Sequence, residues 1–379
     1  MSARVAIPIL TELKKKGVET LIIAEGRAAT VCKESGWPLV VEGNDDLKPF
    51  GKERVKEQIR VIKPDVVLVG TGLCPSNWEL EFALIAEKFG IPIVAVEDIW
   101  GGLSKLKDVV PDLTLIMDNS MEESIQRSTR RRNNMLLFDA VGSGNREYEK
   151  EAVNRVVTEE KEDLERYRSL SRHWCIIGDI ASTVDAGAPP DKLAMFNETI
   201  QDKTSVLIVG DHLDNVLELV EMVVASIKLE KKPGDFIIVT RLVHPKLVND
   251  PSVAPTLEAA KRLLEGLVVN RFDGISTDAL AARCNYTCTC YSTPLRIAIH
   301  HGQRAISVQG PKSNKLMKDE TGFDEYPLVT AGTIPALTEP TRISLLDWRR
   351  RDPIARQWVE QTKFRPEAGA EAIVQLVKR

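Results

Sequence analysis

The sequence predicts an α/β protein of two Rossmann-like domains, each built on a parallel sheet, with the two sheets facing a cleft. Three observations carry this. The chain has 379 residues, more than one hydrophobic core usually organises, so two domains are the natural division. Apolar runs alternate with amphipathic ones in the βα rhythm of a parallel sheet. The runs PDVVLVG (64–70) and IPIVAV (91–96) are continuous and rich in β-branched residues, as strands covered on both faces are.

Val5, Ile9 and Leu13 stand at four-residue steps and Lys14, Lys15, Lys16 and Gly17 follow, so the chain opens on a helix with cations and a glycine at its end. Strand-like ETLIIAEG (19–26), a short helix through Cys32, PLVVEG (38–43), a helix over 51–62 and PDVVLVGTG (64–72) come next. A helix from about Ser76 to Phe89 leads to IPIVAVED (91–98) and LTLIMDN (113–119). The strand and glycine turn that normally open such a unit are absent, which implies a truncated start or a fold that tolerates the loss. The stretch 145–172 is dense in Glu, Arg and Lys and reads as an exposed helix or linker.

A second series contains KTSVLIVGD (203–211), a helix over 214–228, DFIIVTRLVHP (235–245), a helix over 254–265 and GLVVNR (266–271). It continues with a helix over 276–283, NYTCTCYS (285–292), a helix over 293–301 and RAISVQGP (304–311). Helical patterns over 352–363 and 367–378 end the chain. The division is therefore 1–150, a charged linker or insert over 151–202, a second domain over 203–345, and C-terminal helices over 346–379.

Lys plus Arg number 51 against 55 Asp plus Glu, a net charge of −4, which supplies no field for nucleic acid. The basic clusters Arg130-Arg131-Arg132 and Arg349-Arg350-Arg351 read as solvated surface. No apolar window is long enough to span a bilayer. No signal peptide opens the chain and its six cysteines form no secreted framework, so a cytoplasmic protein is expected.

Ligands of open α/β sheets lie beyond the carboxyl ends of the strands. That rule selects Glu25-Gly26, Gly70-Thr71-Gly72, Glu97-Asp98, Gly210-Asp211-His212, His244-Pro245, Ser292-Thr293 and Gly310-Pro311. Ser292 and Thr293 place two hydroxyls and backbone N–H groups at a helix start, which suits a phosphate, although an ordinary N-cap has the same appearance. His244 can donate to a phosphate or act as acid or base. Glu97 and Asp98 offer a general base and a hydroxyl ligand, or a turn cap. Cys284, Cys288 and Cys290 lack a fourth ligand at zinc spacing, and no metal site is expected. His300 and His301 point about 100° apart on a helix, a poor chelate.

The order of these elements resembles the bacterial GT-B superfamily of nucleotide-sugar glycosyltransferases and UDP-N-acetylglucosamine 2-epimerases. KPDVVLVGTG, FGIPIVAVEDIWGG and PDLTLIMDNSMEESI are similar to the acceptor-side domain, and TSVLIVGDHLDN, IIVTRLVHP and CTCYSTPLRIAIHHGQRAISV to the nucleotide-binding domain. Strand-end position and the resemblance together give Gly210, Asp211, His212, His244, Ser292 and Thr293, with Arg296 as a departure from the family, as the expected nucleotide-diphosphate site, and Glu97, Asp98 and His244 as the expected catalytic groups. The family's serine or threonine pair falls on Ser292-Thr293 and its His-Pro on His244-Pro245. The family's glutamate, which holds the ribose about one turn later, has no counterpart: the positions read Pro294, Leu295, Arg296 and Ile297. Loss of that acceptor is worth on the order of 1.5–3 kcal/mol, and Arg296 is placed to address a second phosphate or a carboxylate.

The expected function is a metal-independent glycosyltransferase with a nucleotide sugar as substrate, no further cofactor, an undetermined acceptor, and room for a homodimer. Two alternatives stand beside it. One is a UDP-sugar 2-epimerase or hydrolase, and the other a binding or assembly protein on the same scaffold without turnover.

Overall fold

The structure is a computed structural model that describes residues 3–43, 52–70, 78–96, 106, 109–118, 150, 174–183, 187–210, 212–243, 250–321 and 325–378. The chain forms two compact units. Unit 1 comprises Met1–Ile180 and Thr362–Arg379, and unit 2 comprises Ala181–Gln361.

Unit 1 begins with α1 (Ala3–Lys15), as the four-residue spacing predicts: Val5, Ile9 and Leu13 are all buried, and Gly17 closes the helix at φ +78°. A parallel pair follows, β1 (Ile22–Glu25) and β2 (Leu39–Gly43), joined through α2 (Gly26–Glu34). The second sheet is parallel throughout, with β3 (Val67–Gly70), β4 (Ile93–Val96), β5 (Leu113–Ile116) and β6 (Trp174–Ile176) in that order. Helices α3 (Lys52–Ile62) and α4 (Trp78–Lys88) flank β3 in the chain. Successive residues of β4 enter opposite cores: Ile93 and Ala95 pack with Val55, Ile59 and Ala83, whereas Val94 and Val96 pack with Val5, Ile9 and Leu13. Both faces are therefore covered, which is why the strand is apolar throughout.

Unit 2 carries α5 (Pro190–Ile200), β7 (Thr204–Val209), α6 (Leu213–Lys228), β8 (Phe236–Arg241), α7 (Ala254–Leu263), β9 (Val269–Asn270), α8 (Thr277–Ala281), β10 (Tyr286–Thr289), α9 (Thr293–His300) and β11 (Arg304–Val308). It ends with α10 (Pro311–Thr321), α11 (Pro327–Thr330), β12 (Ala336–Leu337) and α12 (Trp348–Gln361). Its six strands lie parallel in the order β12-β11-β10-β7-β8-β9. Counted within the unit from the β9 edge, that is third, second, first, fourth, fifth, sixth, the doubly wound Rossmann order. Helix α6 lays Val216, Leu219, Val220, Val223 and Ile227 on one face of the sheet; Leu280 and Ile297 pack on the other.

Where the structure differs from the pattern, the signal was weak. β6 has three residues, all half-buried, and α10 has an almost wholly polar sequence. β9 shrinks to two residues within GLVVNR because it is an edge strand whose Val269 is partly exposed. The last helix, α13 (Pro366–Val377), returns to unit 1, where Ala370 and Ile373 join the core beneath α1.

Candidate functional site

Chain order reverses between β7 and β10, the central neighbours of the unit 2 sheet. This is the topological switch point, where ligands of doubly wound sheets bind beyond the carboxyl ends. Here those ends lead into α6 and α9.

Ser292 holds the N-cap position of α9 with extended backbone (φ −85°, ψ 166°), yet its side chain makes no cap bond. Its Oγ lies 3.1 Å from Thr289 Oγ1 instead. Pro294 follows Thr293 and lacks an N–H, so the first turn offers its donors before the proline. That turn contains no acidic residue. Arg296 is buried at 4% exposure and its guanidinium donates to Thr293 Oγ1 at 3.4 Å. Helix dipole, guanidinium and two hydroxyls thus make the start of α9 electropositive and rich in donors.

The start of α6 is organised differently. Gly210 needs to be glycine because a Cβ there would lie 2.1 Å from the Leu242 carbonyl oxygen and 2.9 Å from Val216 Cγ2. Its N–H donates to Arg241 O at 2.9 Å. His212 is the exposed N-cap residue. Asn215, fully buried, accepts the His212 N–H on Oδ1 at 3.3 Å and donates from Nδ2 to Ser313 Oγ at 3.4 Å. Asp214 lies in the first turn and opposes an incoming anion there.

At the neighbouring loop, the first turn of α10 is filled from within. Glu218 accepts the Lys312 N–H and the Ser313 N–H, each at 2.8 Å. A Cβ on Gly310 would meet Glu218 Cδ at 2.4 Å, so glycine at 310 makes room for that carboxylate. Cys290 Sγ donates to Ser313 O at 3.3 Å, and Ser307 Oγ to Cys290 O at 2.6 Å, linking this loop to the end of β10. Of these three helix starts, that of α6 carries Asp214 and that of α10 is bonded by Glu218, whereas the first turn of α9 contains no acidic residue.

Arg241, at the carboxyl end of β8, is committed to the backbone. It donates to Thr240 O at 2.9 Å, Phe272 O at 3.0 Å, Ile275 O at 2.9 Å and also to Arg271 O. Desolvation pulls its pKa below the ordinary arginine value. The guanidinium therefore holds the turn 271–275, in which Phe272 takes φ +47°. Cys284, Cys288 and Cys290 are fully buried free thiols. Burial pushes the Cys284 thiol up to about 12 and raises Cys288 as well. Among the described residues no His, Cys, Asp and Glu side chains form a metal-sized group. The His300 ring sits 5.0 Å from that of Trp358.

Of the residues selected from sequence, Gly210, His212, Ser292, Thr293 and Arg296 occupy the carboxyl edge of one sheet, around the ends of β7 and β10. Glu97, Asp98, Asp211 and His244 lie outside the described residues. Asn215, Glu218 and Arg241 escaped the sequence reading. The spacing of His212 and Asn215 is that of a capping box, which was a usable signal; Glu218 pairs with a loop 94 residues away, which was not.

No protein-family model matches the chain, and no curated protein matches it. Solved structures do. The UDP-GlcNAc 2-epimerase of Methanocaldococcus jannaschii aligns with TM-score 0.58 at 14% identity, over 99% of this chain and 96% of that one. That enzyme has also been solved in complex with UDP-GlcNAc and UDP. A glycosyltransferase of Rickettsia africae gives 0.56 at 13% identity, over 99% and 94%. MurG of Acinetobacter baumannii gives 0.51 at 12% identity, over 99% and 95%. At these identities the likeness establishes the fold: this chain has the α/β fold of the GT-B nucleotide-sugar enzymes.

Proposed function

We propose that the chain is a nucleotide-sugar enzyme that holds the donor diphosphate at the start of α9 and transfers the sugar to an acceptor. The observation that carries this reading is the location of Ser292 and Thr293. They stand at the switch point of a Rossmann-ordered sheet, on a helix start free of acidic residues and backed by Arg296. Ser292, Thr293 and the α9 N-terminus would bind phosphate oxygens, while Arg296 neutralises charge that develops on the departing diphosphate. His212 and Gly210 border the same edge. His244 is proposed as a further phosphate donor or acid, and Glu97 or Asp98, which follow β4 in the chain, as the base that activates the acceptor.

A second reading, epimerisation or hydrolysis of a UDP-sugar, draws support from the fold neighbours solved as UDP-GlcNAc 2-epimerases. One incubation separates the two. With UDP-GlcNAc and no acceptor, a transferase leaves the donor essentially intact, whereas the second reading yields UDP with a free sugar, or an epimer. If neither UDP nor UDP-GlcNAc changes the melting temperature or appears in a titration, the nucleotide reading fails in both forms.

A further inference from the structure

Helix α6 begins at the carboxyl edge of the unit 2 sheet and runs for 16 residues toward the start of β8. Its end therefore lies about 24 Å along the helix axis from its start, at the opposite edge from Ser292. The chain returning from β12 is bonded along that last turn. Thr341 N–H donates to Ser226 Oγ at 3.1 Å, and Arg342 Nε to Leu229 O at 2.7 Å. Glu230 accepts the Ser344 N–H at 2.8 Å and its hydroxyl at 2.7 Å. These bonds bring Leu345 next to the turn that carries Leu229, and the two are 67% and 48% exposed.

Cations flank them along the chain. Lys228, Lys231, Lys232, Arg349 and Arg350 are exposed and Arg342 is half-exposed. The exposed carboxylates of the same two stretches are Asp235, Glu339 and Asp347, and Glu230 is turned inward onto Ser344. In a chain of net charge −4, this surface is a local reversal of sign.

We propose that this surface docks the protein on an anionic lipid bilayer. Leucine tips set among lysines and arginines match a headgroup boundary, where the apolar tips enter the acyl margin and the cations meet lipid phosphates. A protein partner's core would favour aromatic residues and exclude lysine. A nucleic acid would use the cations and leave the leucines without a role. No helix among the described residues is long and apolar enough to cross a membrane, so this attachment is peripheral. It leaves the carboxyl edge of the unit 2 sheet in water.

The test is co-sedimentation of the full chain with vesicles of phosphatidylcholine alone or mixed with phosphatidylglycerol. Binding is expected only with phosphatidylglycerol, and it is lost in half-molar salt. The double variant Lys231→Gln, Lys232→Gln should partition roughly thirtyfold more weakly, from two lost surface cations. Leu229→Ser with Leu345→Ser should also reduce binding, and both variants should melt like the parent because all four side chains are exposed. Equal binding to neutral vesicles, no binding to anionic ones, or unchanged binding by both variants overturns the proposal. So does a dimer in solution that the leucine variant dissociates, since the surface would then be an interface between copies of the chain.

Discussion

Ser292 occupies a helix N-cap position without capping the helix, because its hydroxyl is turned toward Thr289. A serine that caps its helix costs about 1 kcal/mol when replaced by alanine. Ser292→Ala should therefore change unfolding stability by less than about 0.5 kcal/mol, while weakening UDP binding severalfold. Urea melts with a UDP titration check both, and a stability loss near the full cap value with unchanged binding would restore the ordinary N-cap. Glu218 is the converse case. Its carboxylate bonds two N–H groups at the start of α10, so Glu218→Gln should destabilise unit 2 by about 1–2 kcal/mol, measured by the same melts. Chemistry at the buried thiols follows from burial as well. With the Cys284 thiol pushed up to about 12 and Cys288 raised too, no reactive thiolate forms near neutral pH. Both should resist a thiol reagent in the native protein and react once it unfolds; rapid native labelling, mapped by mass spectrometry, would contradict the packing.

At the scale of elements, the strands were legible because burial on both faces makes them continuous apolar runs: VLIV of β7 and IIV of β8 each sit within the segment read from sequence. Helix faces were legible for the same reason, as Val5, Ile9 and Leu13 show. What hid were features set by contacts distant in sequence. The three-residue β6 is a strand because it pairs with β5, and Glu218 matters because the α10 loop folds onto it. The candidate site divides similarly: strand-end position exposed Ser292, Thr293 and Gly210, whereas nothing local marks Arg241 as the anchor of turn 271–275. Gly210 tests the reading of element junctions. A methyl group there would overlap the backbone of Leu242, which cannot swing aside as a side chain can. Gly210→Ala should cost about 1–3 kcal/mol and shift the start of α6, seen as a lower urea midpoint and loss of hydrogen-exchange protection around Asn215. An unperturbed variant would mean that the β8 end yields freely.

The whole molecule is assembled from one continuous unit and one that the chain completes only on its return. Residues 181–361 supply all of unit 2, whereas unit 1 needs both Met1–Ile180 and Thr362–Arg379. The returning segment enters the first core: Phe364, Ala370 and Ile373 pack with α1 and β5, and Gly369 lies so close to the sheet that a Cβ would reach Ile177 Cγ2 at 3.0 Å and Leu115 Cδ1 at 3.3 Å. The entry is also pinned by backbone bonds, Asp179 N–H to Thr362 O at 2.7 Å and Arg365 N–H to Ile177 O at 2.6 Å. The Lys16–Glu371 ion pair is largely exposed and contributes little beside these. Ending the chain after Gln361 should therefore strip several kcal/mol of apolar burial, on the order of 3–6 kcal/mol for Ile373 and Phe364 together. That loss falls on unit 1. Scanning calorimetry of the shortened chain should show the unit 1 transition lowered or absent while the unit 2 transition stays within a few degrees of its original midpoint. Because Ser292 and Arg296 belong to unit 2, any UDP affinity carried by the α9 start should survive the truncation at least in part. If both units melt unchanged, the returning helix is a surface appendage and not part of the first core.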